Sequence, residues 1–493
     1  MPPKSPSLLS RALLAIALMI GFYALAAGLA AGLLFLPLAG WRGVGLVHPG
    51  PAVGCILTAL AVVKAAFPRR LRDQAAGVPL READQPELFA VIREVATAAG
   101  HPMPDEICLI ASVDAFVTQR GGWMGFGSQR VLAIGICLLQ TAGVDELRGV
   151  LAHEFGHFTG GDTRLLPWIH ETRAALGRSI EELEQQKSAL RYPFRWYARL
   201  FRRLTLAVSR AQELAADRLA AGVVGTEAVV AGLLSLTGAS KLFPVYFEQV
   251  VAPVISARRR PPLAKGLAQF MASAPMRPVA LQIEERALAT NEVDRDDSHP
   301  PLPERIAAAL ELGAPPRFPR VDRPAIELLS DRDSLEAHVL AWAFGRPKIS
   351  SFRPIEWSEA GEEVIVPRWR EEFARWNARP QRPFTGITLG QLPDRVESAW
   401  RIGKACASRY VDPQGYLGLG LFGLAVAAGL SLHRAGFKAA SLPGAPVVFE
   451  RAGHRFAIEV DVSLLFSRRL AADEWRARCS EAGVLDLPLD PAS

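Results

Sequence analysis

The sequence predicts a mostly helical α+β protein in three parts: a transmembrane helical hairpin, a metal-centred domain with a small sheet, and a C-terminal α+β domain. Three observations predict it. Residues 12–38 form a run of 27 without a charge, longer than the roughly 20 that cross a bilayer. Around His153-Glu154-x-x-His157, apolar residues recur at helical period. Beyond about Pro315 the texture changes, with tryptophan and proline recurring over residues 342–400. The division that follows is 1–75 for the hairpin and its flanks, 76–315 for the metal domain, 316–345 for a linking helix and 346–493 for an accessory module. At 493 residues the chain is too long for one ordinary domain.

The first run is rich in Leu and Ala, and Gly28-x-x-x-Gly32 can pack it against a partner helix. The second run, residues 44–67, is interrupted by Pro49-Gly50-Pro51 and carries Lys64, whose stem can snorkel to the interface. Lys4 and Arg11 precede the hairpin, Arg69, Arg70 and Arg72 follow it, and its connection holds only Arg42. The positive-inside rule then puts both ends, and everything downstream, in the cytoplasm. A cell (inner) membrane protein of more than one pass is expected.

Lys+Arg exceed Asp+Glu by 56 to 50, a net charge of +6. That excess is small for this length and forms no dense basic block, which argues against a nucleic-acid partner; anionic lipid is the better match. The five cysteines (Cys55, Cys108, Cys137, Cys406, Cys479) are scattered and odd in number. They point to a reducing compartment and not to a disulfide framework.

In the metal domain, residues 82–99 read as a helix with Leu88, Phe89, Ile92, Val95 and Ala96 on one side. Residues 107–110, 115–117 and 130–134 read as short strands, with a glycine-rich loop at 121–127. An edge of such a sheet beside a cleft can hold an extended peptide by strand addition. In the helix that follows, Val144, Leu147, Leu151, Phe155 and Phe158 share one stripe, and His153 and His157 share the opposite side. Histidines at i and i+4 can ligate one ion. Glu154 lies beside them, where a carboxylate can take a proton from an attacking water. Gly160-Gly161 is the expected helix stop.

Leu176, Ile180, Leu183 and Leu190 make the next helical stripe, with Tyr192-Pro193 expected to break it. Residues 194–203 are basic and aromatic at once. They suit a helix on a membrane surface or a core-packed helix with an arginine face, and the sequence leaves both open. Next come Glu213 and Asp217, one turn apart on one helix face. A His-Glu-x-x-His site needs a third protein ligand. A third histidine six residues past His157 is excluded because position 163 is threonine. A glutamate from a separate helix is the other solution, and Asp217 can then orient a ligating histidine. By position alone His299, ahead of Pro300-Pro301, reads as a loop histidine. In the accessory module residues 416–432 suit a packed helix, 447–450 and 456–462 strands, and 471–482 a last helix.

These pieces together resemble the membrane-bound gluzincin metalloendopeptidases of the HtpX and CAAX prenyl endopeptidase type. The blocks that carry the resemblance are His153-Glu154-x-x-His157 with Asp162, Ser209-Arg210 before Glu213-x-x-x-Asp217, and His299-Pro300-Pro301-Leu302-x-Glu304-Arg305-Ile306. They cover roughly residues 76–312. The resemblance implies one Zn²⁺ held by His153, His157 and Glu213, Glu154 as general base, and His299 at the cleft beside the oxyanion. It also implies polypeptide substrates, either peptides or misfolded, membrane-associated proteins. Two departures stand out. Asp114-Ala115-Phe116 replaces the family's Asn-Ala-Phe on the substrate strand, exchanging an amide for an acceptor-only carboxylate. The interval between His157 and Glu213 is charged where HtpX-type chains carry further spans. A peptidase dedicated to one partner is the enzymatic alternative. A membrane scaffold stapled by zinc is the non-enzymatic one, and Glu154 speaks against it, since a structural site has no use for a base.

Overall fold

The computed structural model describes residues 8–44, 49–66, 77–120, 129–159, 165–290, 299–408 and 412–490. The expected 121–127 loop, the expected helix stop at Gly160-Gly161, and Asp162 lie outside the described residues. The chain packs as two units, residues 1–237 with 284–330, and 238–283 with 331–493. Packing therefore does not follow the order of the sequence: the chain enters the second unit at Gly238, returns at Glu284, and leaves again at Asp331.

In the first unit, α1 (Leu8–Val44) and α2 (Pro49–Ala66) stand where the hairpin is expected. Within α1, Ile16–Ala39 is long and apolar enough to cross a membrane, while α2 offers the shorter apolar stretch Gly50–Lys64. Strand β1 (Val78–Leu80), which the sequence did not announce, precedes α3 (Pro86–Ala98). Helix α3 starts four residues later than expected, with Pro86 in its first turn, where an N–H needs no acceptor. Its residues Leu88, Phe89, Ile92, Val95 and Ala96 are buried.

Strands β2 (Glu106–Ile110), β3 (Ala115–Arg120) and β4 (Gln129–Gly135) join β1 in one sheet of order β1-β2-β4-β3. The β2–β4 pairing is parallel, and β3 lies antiparallel to β4, with Val117 opposite Leu132. This leaves β3 as a sheet edge. A short α4 (Ile136–Thr141) leads to α5 (Val144–Thr159). Glu146 accepts the Gly143 N–H at the start of α5, and buried Arg148 ties Asp145 to Glu94. The expected apolar stripe is buried at Val144, Leu147, Leu151 and Phe155.

Helices α6 (Leu165–Gln185) and α7 (Arg191–Val224) pack on the hairpin. Met19, Phe22, Ala26 and Val62 meet Leu176, Leu183, Phe194 and Phe201 in one apolar cluster. The expected break at Tyr192-Pro193 is wrong. Both residues lie in the first turn of α7, where proline is tolerated. The turn comes earlier, around Lys187, whose φ is 52°. Residues 194–203 have the arrangement of the core-packed helix with an arginine face: Phe194 and Phe201 are buried, whereas Arg195, Trp196, Arg199 and Arg203 are exposed.

Helix α8 (Thr226–Tyr246) carries the chain into the second unit and continues through a π-helical turn, Phe247–Val251, into α9 (Ala252–Ser256). By length and composition alone, Thr226–Ser256 could also cross a membrane, which the sequence reading did not anticipate. Strand β5 (Arg259–Arg260) is followed by α10 (Leu263–Ala272) and α11 (Met276–Ala289). Helix α12 (Leu302–Leu310) belongs to the first unit, and α13 (Arg332–Ala343) reopens the second. Strand β6 (Arg353–Pro354) pairs with β5.

The rest is α14 (Val366–Asn377), α15 (Leu392–Val396), α16 (Ala399–Cys406), α17 (Pro413–Arg434), β7 (Lys438–Ala440), β8 (Val448–Arg451), β9 (His454–Phe456), α18 (Ile458–Phe466) and α19 (Ala472–Glu481). Helix α17 is the expected packed helix and lies at the core of this unit. Its Gly420 and Gly403 on α16 let the two backbones touch, since a Cβ at Gly420 would overlap the Ala399 carbonyl. The strand expected at 456–462 is a correction: from Ile458 the chain is helical. Ile458, Val462 and Leu465 are all buried at four- and three-residue spacing, so helical period prevails over the β-branched residues' strand preference.

Candidate metal centre

Helix α5 presents His153, Glu154 and His157 on one side. Among the described residues they form a group whose possible ligand atoms lie within 4.8 Å of one another. Helix α7 crosses α5 at Gly156, where a Cβ would lie 3.1 Å from the Cα of Ala216. The missing side chain allows that approach, and the approach brings Glu213 and Asp217 onto the histidines.

His153 Nε2 lies 3.5 Å from Glu213 Oε2, and His157 Nε2 lies 3.6 Å from Glu213 Oε1. A tetrahedral ion with bonds of roughly 2.0–2.1 Å separates its ligand atoms by about 3.3–3.4 Å. The donor set of two imidazoles and a carboxylate therefore fits such an ion with little movement. Asp217 Oδ1 lies 2.8 Å from His153 Nδ1, which fixes the ring so that Nε2 faces the centre. The rings of His153 and His157 stand nearly perpendicular, 4.8 Å apart.

Glu154 is aimed at the sheet edge. Its Oε2 accepts the Val117 N–H at 3.3 Å. Burial raises its pKa to about 7, against the lowering effect of His153 nearby. Burial also lowers His157 to about 4, leaving it in the neutral form that ligates metals. At His153 burial lowers the pKa too, but the bonds from Asp217 and Glu213 outweigh it and raise the value to about 9. Glu213 and Asp217 are held well below the usual carboxylate range: the hydrogen bonds of His153 and His299 to Glu213, and of His153 and Arg305 to Asp217, overcome the cost of burial.

His299 is brought to the site, where its Nδ1 sits 2.8 Å from Glu213 Oε2. It is half exposed, unlike the residues beneath it. Asp114 is not at the centre. Its carboxylate accepts from Ser112 Oγ, and its carbonyl accepts the Gly135 N–H. Ala115 and Phe116 begin β3, and Phe116 is exposed.

Sequence reasoning missed two participants. One is Val117, whose backbone and not its side chain is used, so no residue type marks it. The other is Arg305 on α12. Its Nε and Nη2 reach Asp217 Oδ2 and Oδ1 at 2.9 and 2.8 Å, and Nη2 lies 3.3 Å from His153 Nδ1. A fully buried Asp217 needs a cation, and that need was the available signal.

Residues 82–312 match the profile of Peptidase family M48. A Protease HtpX homolog of Syntrophobacter fumaroxidans is 36% identical over 85 residues, 17% of this chain and 28% of that one. One from Pyrococcus abyssi is 34% identical over 84 residues, 17% and 27% of the two chains. One from Burkholderia multivorans is 26% identical over 252 residues, 47% of this chain and 76% of that one. This chain thus spans under a third of the length of the first two relatives. No solved structure gives a significant match.

Proposed function

We propose that this chain, whose residues 82–312 are an M48 peptidase domain of the HtpX type, is a membrane-anchored zinc endopeptidase. Its substrates are peptides or misfolded, membrane-associated proteins, and its peptidase part, residues 76–315, faces the cytoplasm from a cell membrane that the chain crosses more than once. The single observation that carries the reading is the pairing of a three-donor centre at metal spacing with a nearly buried carboxylate, Glu154, next to it.

His153, His157 and Glu213 would hold the zinc. When bound, zinc supplies Lewis acidity toward the scissile carbonyl and lowers the pKa of water. Asp217 and Arg305 keep the His153 ring in the ligating orientation. Glu154 takes a proton from the attacking water and delivers it to the departing amine nitrogen as the C–N bond breaks. The Val117 N–H holds that carboxylate in place between turnovers. With Nδ1 on Glu213, His299 can donate through Nε2 to the developing oxyanion. Backbone groups alternate in direction along an antiparallel strand. Val117 turns its N–H away from β4, so Ala115 and Gln119 present theirs on the same edge, where a substrate strand can add.

The test is Glu154→Gln. It keeps all three ligands, so zinc content stays at wild type, while cleavage of an unfolded protein falls by about 10²–10⁴-fold. Activity within tenfold of wild type rejects the assigned base.

A further inference from the structure

We propose that the charged face of α6 and α7 is an interface with a second copy of this chain, closed by a two-fold axis running along the helices. This rests on the reading that the hairpin crosses a membrane, and it adds a partner to it. A crossing of about 20 residues, placed anywhere in the uncharged run 12–38, includes residues 19–31. Met19, Phe22 and Ala26 therefore lie in the apolar layer at whatever level the bilayer sits. They are the residues that α6 and α7 pack against, through Leu176, Leu183, Phe194 and Phe201. Phe194 meets Phe22 edge to face, with ring centroids 6.3 Å apart. Arg195 follows Phe194 and pairs with Glu184, so both charges stand close to the depth of Phe22.

Both are exposed, as are Glu181 one turn earlier on α6 and Arg199 one turn later on α7. Residues three or four apart share a helix face, so the four charges make one strip. Lipid has its own side: Ile20, Leu34 and Phe35 on α1, and Ile56, Leu57 and Leu60 on α2, are exposed. The four helices thus form a bundle that is apolar on one side and charged on the other. Charges at membrane depth face protein or water, not lipid tails.

The strip's own pattern selects the occupant, since α6 supplies the acids and α7 the bases. Arg173 bonds to Thr205 as Glu184 pairs with Arg195, so the two helices run antiparallel. Rotation about an axis along the bundle keeps every residue at its depth. It sets α6 of one copy opposite α7 of the other, with Glu184 facing Arg195. Three residues back on α6 and four forward on α7 change depth by about 4.5 and 6 Å, so Glu181 faces Arg199 too. Such an isologous contact is self-complementary. Exposed Tyr192 and Trp196, one turn apart beside the strip, add the aromatic side chains that interfaces favour.

The experiment reconstitutes full-length chains with zinc in liposomes, each carrying one of two fluorescent tags, and reads association by energy transfer. Wild-type chains are expected to associate. An all-basic strip (Glu181→Arg with Glu184→Arg) and an all-acidic one (Arg195→Glu with Arg199→Glu) should each self-associate at least about tenfold more weakly. Mixed, the two should recover wild-type association, because each then meets its opposite. Wild-type chains that stay monomeric, or a mixture no better than either variant alone, would overturn the proposal. Unchanged zinc content and free-peptide cleavage show that both variants fold. If either variant loses zinc, single cysteines decide: Glu181→Cys in one preparation and Arg199→Cys in the other, with half-exposed Cys55 replaced by serine. A short bis-maleimide should join these two chains, and should not join chains carrying Leu34→Cys on the apolar side. Cysteines that react with a charged maleimide yet never cross-link would show that water covers the strip, and would reject the second copy. Chains that alkaline carbonate strips from the liposomes would reject the membrane crossing as well, whereas monomers that resist it reject the interface alone.

Discussion

The two units bury charge in different ways. In the second unit each buried carboxylate is answered locally: Glu336 accepts the Leu263 and Ala264 N–H groups, Asp461 pairs with Arg478, and Asp490 accepts from Thr385. These three carboxylates serve separate parts of the fold, and each reads as structure. In the first unit the buried or nearly buried His153, Glu154, His157, Glu213, Asp217 and Arg305 converge on one place. Among them the donor atoms of His153, His157 and Glu213 stand at the spacing of a metal's ligands. A buried charge that closes its own account stabilises a turn or helix end, whereas several that share one centre point to a ligand.

Removing a group from the convergent set should therefore act first on metal, and removing one from the scattered set on stability alone. The largest effect is expected from Glu213→Ala, which leaves two imidazoles as protein ligands. Most bound zinc should be lost from the purified protein, and full occupancy by elemental analysis would place the third ligand elsewhere. Asp217→Asn comes next. It weakens the hold on His153 and leaves Arg305 without its anion, so a 10–100-fold loss of zinc affinity is expected in a chelator competition. An unchanged affinity would make Asp217 a structural residue like Asp461.

Most of the site was legible because its chemistry depends on residue type at fixed spacing. His153, His157, Glu213 and Asp217 sit at i and i+4 on two helices, and helical geometry does the rest. Arg305 stands within the third block of the resemblance, yet the sequence alone assigns it no role, because a lone arginine on a short helix is ordinarily solvated. The stripes of α3 and α5 were readable for the same periodic reason. Tyr192-Pro193 misled because proline stops a helix in its interior but opens one in its first turn. Residues 456–462 misled because valine and isoleucine suit a strand locally, and only their partners across the core favour a helix. The passage of 238–283 into the second unit leaves no mark in composition, since it is a fact of packing.

The smallest effect, and the one that best sharpens the contrast, is at Glu336. Burial raises its pKa to about 7, more than the Ala264 and Leu263 N–H groups lower it. An unfolded glutamate titrates near 4.3. Between those values the folded state keeps a proton that the unfolded state has released. Stability from this group is thus fully present below about pH 4.3 and is lost as pH rises to about 7, a change on the order of 3 kcal/mol. Glu336→Gln stays neutral throughout and should remove that slope. Its amide can accept from only one of the two N–H groups, at a cost of about 1 kcal/mol. The variant should therefore be less stable than wild type near pH 4 and more stable near pH 8. Denaturant midpoints followed by tryptophan emission would report it, since Trp357 bonds to Pro262 at the start of α10. Parallel curves for the two proteins across that range would show that Glu336 does not carry the proton, while zinc content should be the same in both.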